Sequence, residues 1–256
     1  MWSPKGVAAL DLACGSVEIL AELVRRNGPA VVLTGAGVST ESGLPDFRSP
    51  GTGLWESIDP VEHLSAKALR RRPAEFWRLF AVAFAAGLGA RPNVGHLALA
   101  RLEAAGHVRS VVTQNIDGLH QAAGSRRVLE VHGSLRTASC RRCGLVVPLK
   151  EALDQLGRQE VPECTCGGTL RPDVVLFEDP MPPVFETAWR EAASAGLLLV
   201  VGSSLTVWPA AGLAEVAPRL AIINRDATPY DNRAEVVLRA GSGQTLTELV
   251  RCLGVG

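Results

Sequence analysis

Val31-Val-Leu-Thr34-Gly35-Ala-Gly37-Val-Ser39-Thr40-Glu-Ser-Gly43-Leu-Pro-Asp46-Phe47-Arg48 says more about the fold than any other stretch of this 256-residue chain. An apolar strand (Val31, Val32, Leu33) runs into two glycines, and an acid, an aromatic ring and a guanidinium follow at positions 46–48. Glycines directly behind a strand let backbone N–H groups approach a phosphate closely, as bulky side chains would not. Gly35-x-Gly37 fills the first two places of the dinucleotide fingerprint, but Thr40 stands where the third glycine belongs. Taken alone, the stretch suits a phosphate loop and an ordinary tight turn equally.

Outward from it, short β-branched runs recur at 108–113, 128–131, 197–201, 220–223 and 236–238. Such near-continuous apolar runs suit strands buried on both faces, as in a parallel sheet. Helical patterns lie between them. Phe76, Leu79, Phe80, Ala83 and Phe84 follow i, i+3, i+4, i+7, i+8 spacing, and Val94, Leu97, Ala98, Arg101 and Leu102 nearly repeat it behind Asn93, a good N-cap type. The alternation predicts a doubly wound α/β fold, a Rossmann-like parallel sheet with helices on both faces. Two segments interrupt it. Residues from about 52 to 106 read as helical without a strand, and those from about 139 to 170 hold four of the six cysteines among Gly and Pro. Both are expected to form a smaller lobe over the large one.

Hydrophobic residues make up 47% of the chain, enough for a substantial core, and 26 basic residues balance 26 acidic ones. No global field therefore recruits nucleic acid or an anionic membrane. No apolar run reaches the roughly 18 residues of a membrane span, and Asp11 and Glu18 interrupt any secretory signal behind Lys5. The expected location is cytoplasmic, where reduced cysteines favour metal over disulfides. Cys140-Arg-Arg-Cys143-Gly144 and Cys164-Thr-Cys166-Gly167-Gly168 form two knuckles separated by 20 residues. Four thiolates at about 2.3 Å would close a tetrahedral shell around one zinc and leave no place for water, so the ion is expected to be structural. Cys14 and Cys252 have no such partner in sequence and read as core thiols.

Further polar segments end strands, where open α/β sheets place their ligands. Thr113-Gln114-Asn115-Ile116-Asp117, His132-Gly133, Gly202-Ser203-Ser204 and Asn224-Arg225-Asp226 would all gather with Gly35–Gly37 at one sheet edge. Of the five histidines, His63, His96 and His107 are expected on helix faces or the surface, and His120 is placed to cap or orient the Asp117 loop. His132 alone closes an apolar strand beside a glycine, where its ring would face the cleft and serve as a proton acceptor near neutrality.

These residues resemble the sirtuins, NAD-dependent protein lysine deacylases. The likeness rests on Gly35-Ala-Gly-Val-Ser39, Gly43-Leu-Pro-Asp-Phe-Arg-Ser49, Thr113-Gln-Asn-Ile-Asp-Gly-Leu-His120, His132-Gly133, the four cysteines, Leu170-Arg-Pro-Asp-Val-Val175 and Gly202-Ser-Ser-Leu205, in family order. The resemblance, to bacterial and archaeal members, implies a Rossmann-type NAD-binding domain from 1–51, 107–138 and 171–256. It implies a small domain from the helical insert 52–106 and the zinc module 139–170. It places NAD contacts at Gly35, Ala36, Gly37, Thr40, Asp46, Phe47, Arg48, Gln114, Asn115, Ile116 and Asp117. The adenosine half would meet Gly202, Ser203, Ser204, Asn224, Arg225, Asp226 and Ala240. His132 would be the general base, Asn115 and Asp117 would position the ribose and carboxamide, and Phe47 would shield the reacting carbon from water. Nicotinamide, free lysine and O-acyl-ADP-ribose are the implied products. The alternative use of the same pocket is ADP-ribosyl transfer to a protein side chain.

The acyl-lysine peptide is expected to enter by strand addition between Val175-Leu176-Phe177 and Thr206-Val207, which reads backbone more than sequence. Sirtuins carry Phe-Gly-Glu at the first edge, whereas this chain has Phe177-Glu178-Asp179. If that backbone requires positive φ, glutamate costs about 1 kcal/mol there. Desuccinylating sirtuins carry a Tyr and an Arg three apart on a small-domain helix; the matching positions here are Phe80 and Ala83, so neutral acyl groups are expected over succinyl.

Overall fold

The computed structural model describes residues 16–46 and 59–256. The chain runs α1 (Ser16–Asn27), β1 (Ala30–Thr34), α2 (Pro60–His63), α3 (Ala66–Arg71), α4 (Pro73–Phe84), α5 (Val94–Ala104), β2 (Val108–Thr113), α6 (Leu119–Ala122), β3 (Val128–Glu130) and β4 (Gly133–Cys140). It continues through β5 (Val146–Pro148), α7 (Leu149–Gln155), β6 (Leu170–Val174), α8 (Val184–Ser194), β7 (Leu198–Val201), α9 (Leu213–Val216), β8 (Leu220–Ile223), β9 (Val236–Leu238) and α10 (Ser242–Cys252).

Six strands form one parallel sheet in the order β3-β2-β1-β7-β8-β9. The order reverses beside β1, so the loops after β1 and β7 diverge to opposite faces and leave a crevice at their carboxyl ends. Alternate residues of each strand feed two cores. Val32, Leu199, Val201 and Ile223 pack with α1, α5 and α10. Val31, Leu33, Val200 and Ile222 pack with α8 and α9 on the other face. Burial on both faces is why these runs are apolar without alternation.

A second, antiparallel sheet in the order β5-β4-β6 carries the cysteines. It shares a third core with α3, α4 and α7, centred on Phe76, Trp77, Phe80, Leu149 and Leu170. Phe76 and Phe80 stack at 5.6 Å, and Trp77 meets Phe80 edge-on at the same distance. The expected zinc module, 139–170, is shorter than this ribbon, because β4 starts at Gly133 and pairs along β6 as far as Val174. The expected helical insert, 52–106, is too long at its end. Ala98, Leu99 and Leu102 of α5 are buried in the core of the large sheet, so α5 covers that sheet and only the helices before it belong with the ribbon. Its apolar stripe fits either lobe by sequence. The Asn93 cap decides the matter, since its amide also donates to the Val38 carbonyl (2.8 Å) and ties α5 to the first loop.

Candidate active site

The strand-end segments do converge. A cavity of about 650 Å³ opens between the lobes, walled by Gly35, Ala36, Gly37, Thr40, Asp46, Gln114, Asn115, Ile116, His132, Gly202, Ser203, Ser204, Asn224, Arg225, Asp226 and Ala240. Val175, Leu176, Phe177 and Val207 line it too. Asp117 and Thr206 are not among the lining residues: Asp117 turns inward, and Thr206 hydrogen-bonds Ser204 through its hydroxyl (2.8 Å). Phe47 and Arg48 lie outside the described residues.

The glycines of the first loop have a second reason to be glycine. A Cβ on Gly35 would lie 2.8 Å from the Gly202 carbonyl oxygen, and one on Gly37 would lie 2.8 Å from the Gly202 Cα. Gly202 itself sits at φ +61, and a Cβ there would meet the Val38 nitrogen at 2.4 Å. The Gly37 N–H donates to the Gly202 carbonyl (2.9 Å). The loops after β1 and β7 thus touch backbone to backbone, which neither loop's sequence reveals alone.

His132 follows β3, and its Nδ1 lies 3.0 Å from the Gln114 carbonyl. A carbonyl only accepts, so Nδ1 carries the proton and Nε2 keeps its lone pair. Burial lowers the His132 pKa below the ordinary imidazole value, against the opposing pull of that carbonyl. The ring is therefore a neutral base at physiological pH. Gly133 behind it adopts φ +78, where a Cβ would meet the Asp173 carbonyl oxygen at 2.2 Å. The Val175 N–H closes the turn on the His132 carbonyl (2.8 Å), so His132 and the segment from Val175 to Phe177 are held together.

Beneath the wall runs a network that the sequence reading missed. Asn115 donates from Nδ2 to the Gly35 carbonyl (3.1 Å) and to Ser39 Oγ (3.0 Å), and Ser39 donates to Asp117 Oδ2 (2.7 Å). Asp117 Oδ1 also accepts the Leu119 N–H at 2.9 Å. His96 lies 3.4 Å from Ser39 Oγ through Nε2, while its Nδ1 accepts the Asn93 N–H (3.3 Å). Expected on a helix face or the surface, His96 lies on the inner face of α5, 0% exposed, with its ring centroid 4.8 Å from that of His120 at a tilt of 60°. The available signal was the Asn93-x-x-His96 spacing of a capping box, which the structure forms. His120 reaches Thr34 Oγ1 at 2.9 Å; it braces the ends of β1 and β2 rather than the Asp117 loop directly.

Where the small-lobe core meets the cavity the lining is apolar: Leu64, Phe80, Val174 and Leu176 belong to that core, and Phe84 and Ile116 pack against it. At the sheet end, Ser242 lines the wall with its hydroxyl buried and unpartnered among the described residues. A buried orphan hydroxyl in a polar wall fits a polar ligand such as a nucleotide.

Cys140, Cys143, Cys164 and Cys166 bring their sulfurs within 4.8 Å of one another. Cys140 and Cys166 are 3.5 Å apart, and Cys143 and Cys164 are 3.7 Å apart. Sulfurs of a zinc tetrahedron stand about 3.8 Å apart, so the donor set fits the ion. The N–H groups of Cys143 and Arg142 point at the Cys140 sulfur and lower its pKa to about 6, favouring the thiolate that zinc binds. Cys252 is half-buried against the α1–α10 core, and Cys14 lies outside the described residues.

A parallel sheet with a ligand cavity at its switch point and a cysteine ribbon as second lobe defines an α/β nucleotide-binding protein with a structural zinc. The chain belongs to the Sir2 family, whose model matches residues 35–209. It is 48% identical to an NAD-dependent protein deacetylase of Caldanaerobacter subterraneus subsp. tengcongensis, over 90% of this chain and 92% of that one. An NAD-dependent protein deacetylase of Cutibacterium acnes is 44% identical over 92% and 98%. Among solved structures, a Sir2 bound to acetylated peptide superposes with TM-score 0.86 at 31% identity, covering 94% of this chain and 99% of that one. A Sir2 with deacetylated p53 peptide and 3'-O-acetyl ADP-ribose gives 0.89 at 32% identity, covering 94% and 100%. No helix among the described residues is long and apolar enough to cross a membrane.

Proposed function

We propose that this chain is an NAD-dependent protein lysine deacylase, removing acetyl or other neutral acyl groups to give nicotinamide, free lysine and O-acyl-ADP-ribose. The observation that carries the reading is one cavity lined at once by His132, by Val175–Phe177 and Val207 of the two edge segments, and by the glycine loops. Its volume lies within the range of small-molecule sites. NAD, the co-substrate, would supply when bound an electrophilic ribose carbon with nicotinamide as its leaving group.

The chain's own residues do the rest. Gly35, Ala36 and Gly37 would approach the phosphates, with Thr40, Asp46, Phe47 and Arg48 contacting NAD through the same first loop; Gly202, Ser203 and Ser204 would meet the adenosine half. Asn224, Arg225, Asp226, Ala240 and Ser242 would hold the adenosine half. Gln114, Asn115 and Ile116 would line the nicotinamide ribose. Asp117 is a positioning residue, acting through Ser39 on Asn115. His132 takes a proton from a ribose hydroxyl at Nε2. The apolar end at Leu64, Phe80 and Ile116 would receive the acyl group and keep water from it. The peptide would add as a strand between Val175–Phe177 and Thr206–Val207, with the N–H and C=O groups of those edges supplying affinity. Division into an NAD-binding domain and a zinc-plus-helical domain belongs to the same reading. So do a cytoplasmic location, where four thiols stay reduced for zinc, and the absence of direct nucleic-acid partners, given the balanced charge.

ADP-ribosyl transfer would use the same nucleotide wall but has no need of a peptide edge tied to the base, so deacylation is preferred. Incubation with NAD and an acetyl-lysine peptide tests the choice: stoichiometric nicotinamide, free lysine and O-acetyl-ADP-ribose are expected. Label from NAD on a protein side chain with the peptide untouched would overturn it.

A further inference from the structure

The rim of the cavity carries an unusual residue. Glu178 is exposed, lines the cavity just beyond Phe177, and sits at φ +73, a conformation that side-chain-bearing residues rarely adopt. Among the described residues only Leu205, on the facing edge segment, shares that feature without being glycine. The Glu178 side chain is not loose. Its Oε2 accepts the Lys67 N–H at the start of α3 (3.3 Å), while the neighbouring Phe177 carbonyl accepts the Ala66 N–H (3.0 Å).

None of the ion pairs among the described residues includes Glu178, although α3 carries Lys67, Arg70 and Arg71. The next acid along, Asp179, is by contrast paired with Arg171. Arg225 is the one Lys or Arg among the described lining residues, and it belongs to the sheet end with Asn224 and Asp226. Trp208, 59% exposed, also lines the cavity and offers an indole face, which attracts cations. Among the described lining residues, the peptide half of the mouth therefore presents an anchored carboxylate and an aromatic face, and no Lys or Arg.

We propose that Glu178 makes this site selective for acyl-lysines that have an arginine or lysine within two residues along the peptide. The proposal rests on the deacylase reading and names the substrate class that reading leaves open. An exposed carboxylate that attracts one charge and repels the other separates basic from acidic flanks by about fivefold at low salt.

The test uses acetyl-lysine peptides identical except for Arg, Ala or Glu at each position from two before to two after the modified lysine. The wild-type chain is expected to rank kcat/KM as Arg above Ala above Glu at one or more positions. In E178Q, which keeps the acceptor for Lys67 N–H, the Arg-to-Glu ratio should collapse towards one. Roughly 1 M salt, with a Debye length of about 3 Å, should flatten the wild-type ranking in the same way; this keeps the test available if E178Q folds poorly. Equal turnover of all peptides by the wild type, or an unchanged ranking in E178Q or in high salt, overturns the proposal and leaves deacylation standing. No nicotinamide release with any peptide overturns the deacylase reading, and this inference with it.

Discussion

Acidification should destabilise this protein through His120. The ring is 1% exposed and lies 2.9 Å from Thr34 Oγ1, which itself donates to Thr113 Oγ1 (2.8 Å). Thr34 has spent its hydrogen on Thr113, so His120 must donate from Nε2, and its bare nitrogen is Nδ1, buried without a partner. A second proton would place an unpaired N–H and a charge in the core. Burial, with His96 nearby, accordingly lowers the His120 pKa from the ordinary 6.5 to about 3. The unfolded chain binds this proton below 6.5 and the folded chain does not, so stability is full above 6.5 and is lost as pH falls towards 3. The loss from this one ring is about 1 kcal/mol between pH 7.5 and 5.5 and about 3 kcal/mol by pH 4.5. Urea unfolding of the wild type and His120→Leu at both ends of that range reads the effect. The variant is weaker everywhere because Thr34 loses a partner, but its pH dependence should be shallower by that amount. Equal pH dependence in the two chains would refute the buried neutral ring. The function follows the fold here, because Thr113 Oγ1 accepts the Asn115 N–H (3.0 Å) and the brace under it is what acid removes.

His132→Ala should lower turnover by about 10²–10⁴-fold while NAD still binds by calorimetry; a variant keeping a tenth of the rate would contradict the role of the ring. Since burial lowers the His132 pKa, the acid limb of kcat/KM should fall below pH 6.5, with the base active above it; a limb above that value would mean that another group is titrating. Stripping zinc with a chelator should release one ion per chain and shift Trp77 fluorescence, because Cys140 and Cys164 share the small-lobe core with Trp77; an unchanged melt with no released zinc would dismiss the site. Deacetylation should outpace desuccinylation, because buried Phe80 and Ala83 give a second carboxylate no partner; a peptide pair differing only in the acyl group decides this.

Much of this was legible in the residues. Apolar runs without alternation placed the strands, glycines behind them marked the loop turns, and His132-Gly133 marked a histidine that lines the cavity. Less legible was anything depending on which two loops meet. Ala98, Leu99 and Leu102 form an apolar stripe that suits either lobe, and only packing against α10 and the large sheet assigned it. The sequence places His96 on a helix face or the surface without choosing, because helical spacing gives the direction of a side chain and not what lies opposite. Glu178 stands out in the sequence as a departure from the family pattern, but its anchoring on the Lys67 N–H needed α3 beside it.

Local chemistry is written along the chain: strand and helix periods, the cysteine knuckles, and the residue types able to take a proton or approach a phosphate. Tertiary structure decided the Gly35–Gly202 contact, the tautomer of His132 and the burial of His96 and His120. These depend on groups 18 to 167 positions apart, brought together by sheet order. Side-chain periodicity fixes which face of an element is apolar, while hydrogen-bond partners and pKa values are set by whichever element covers that face.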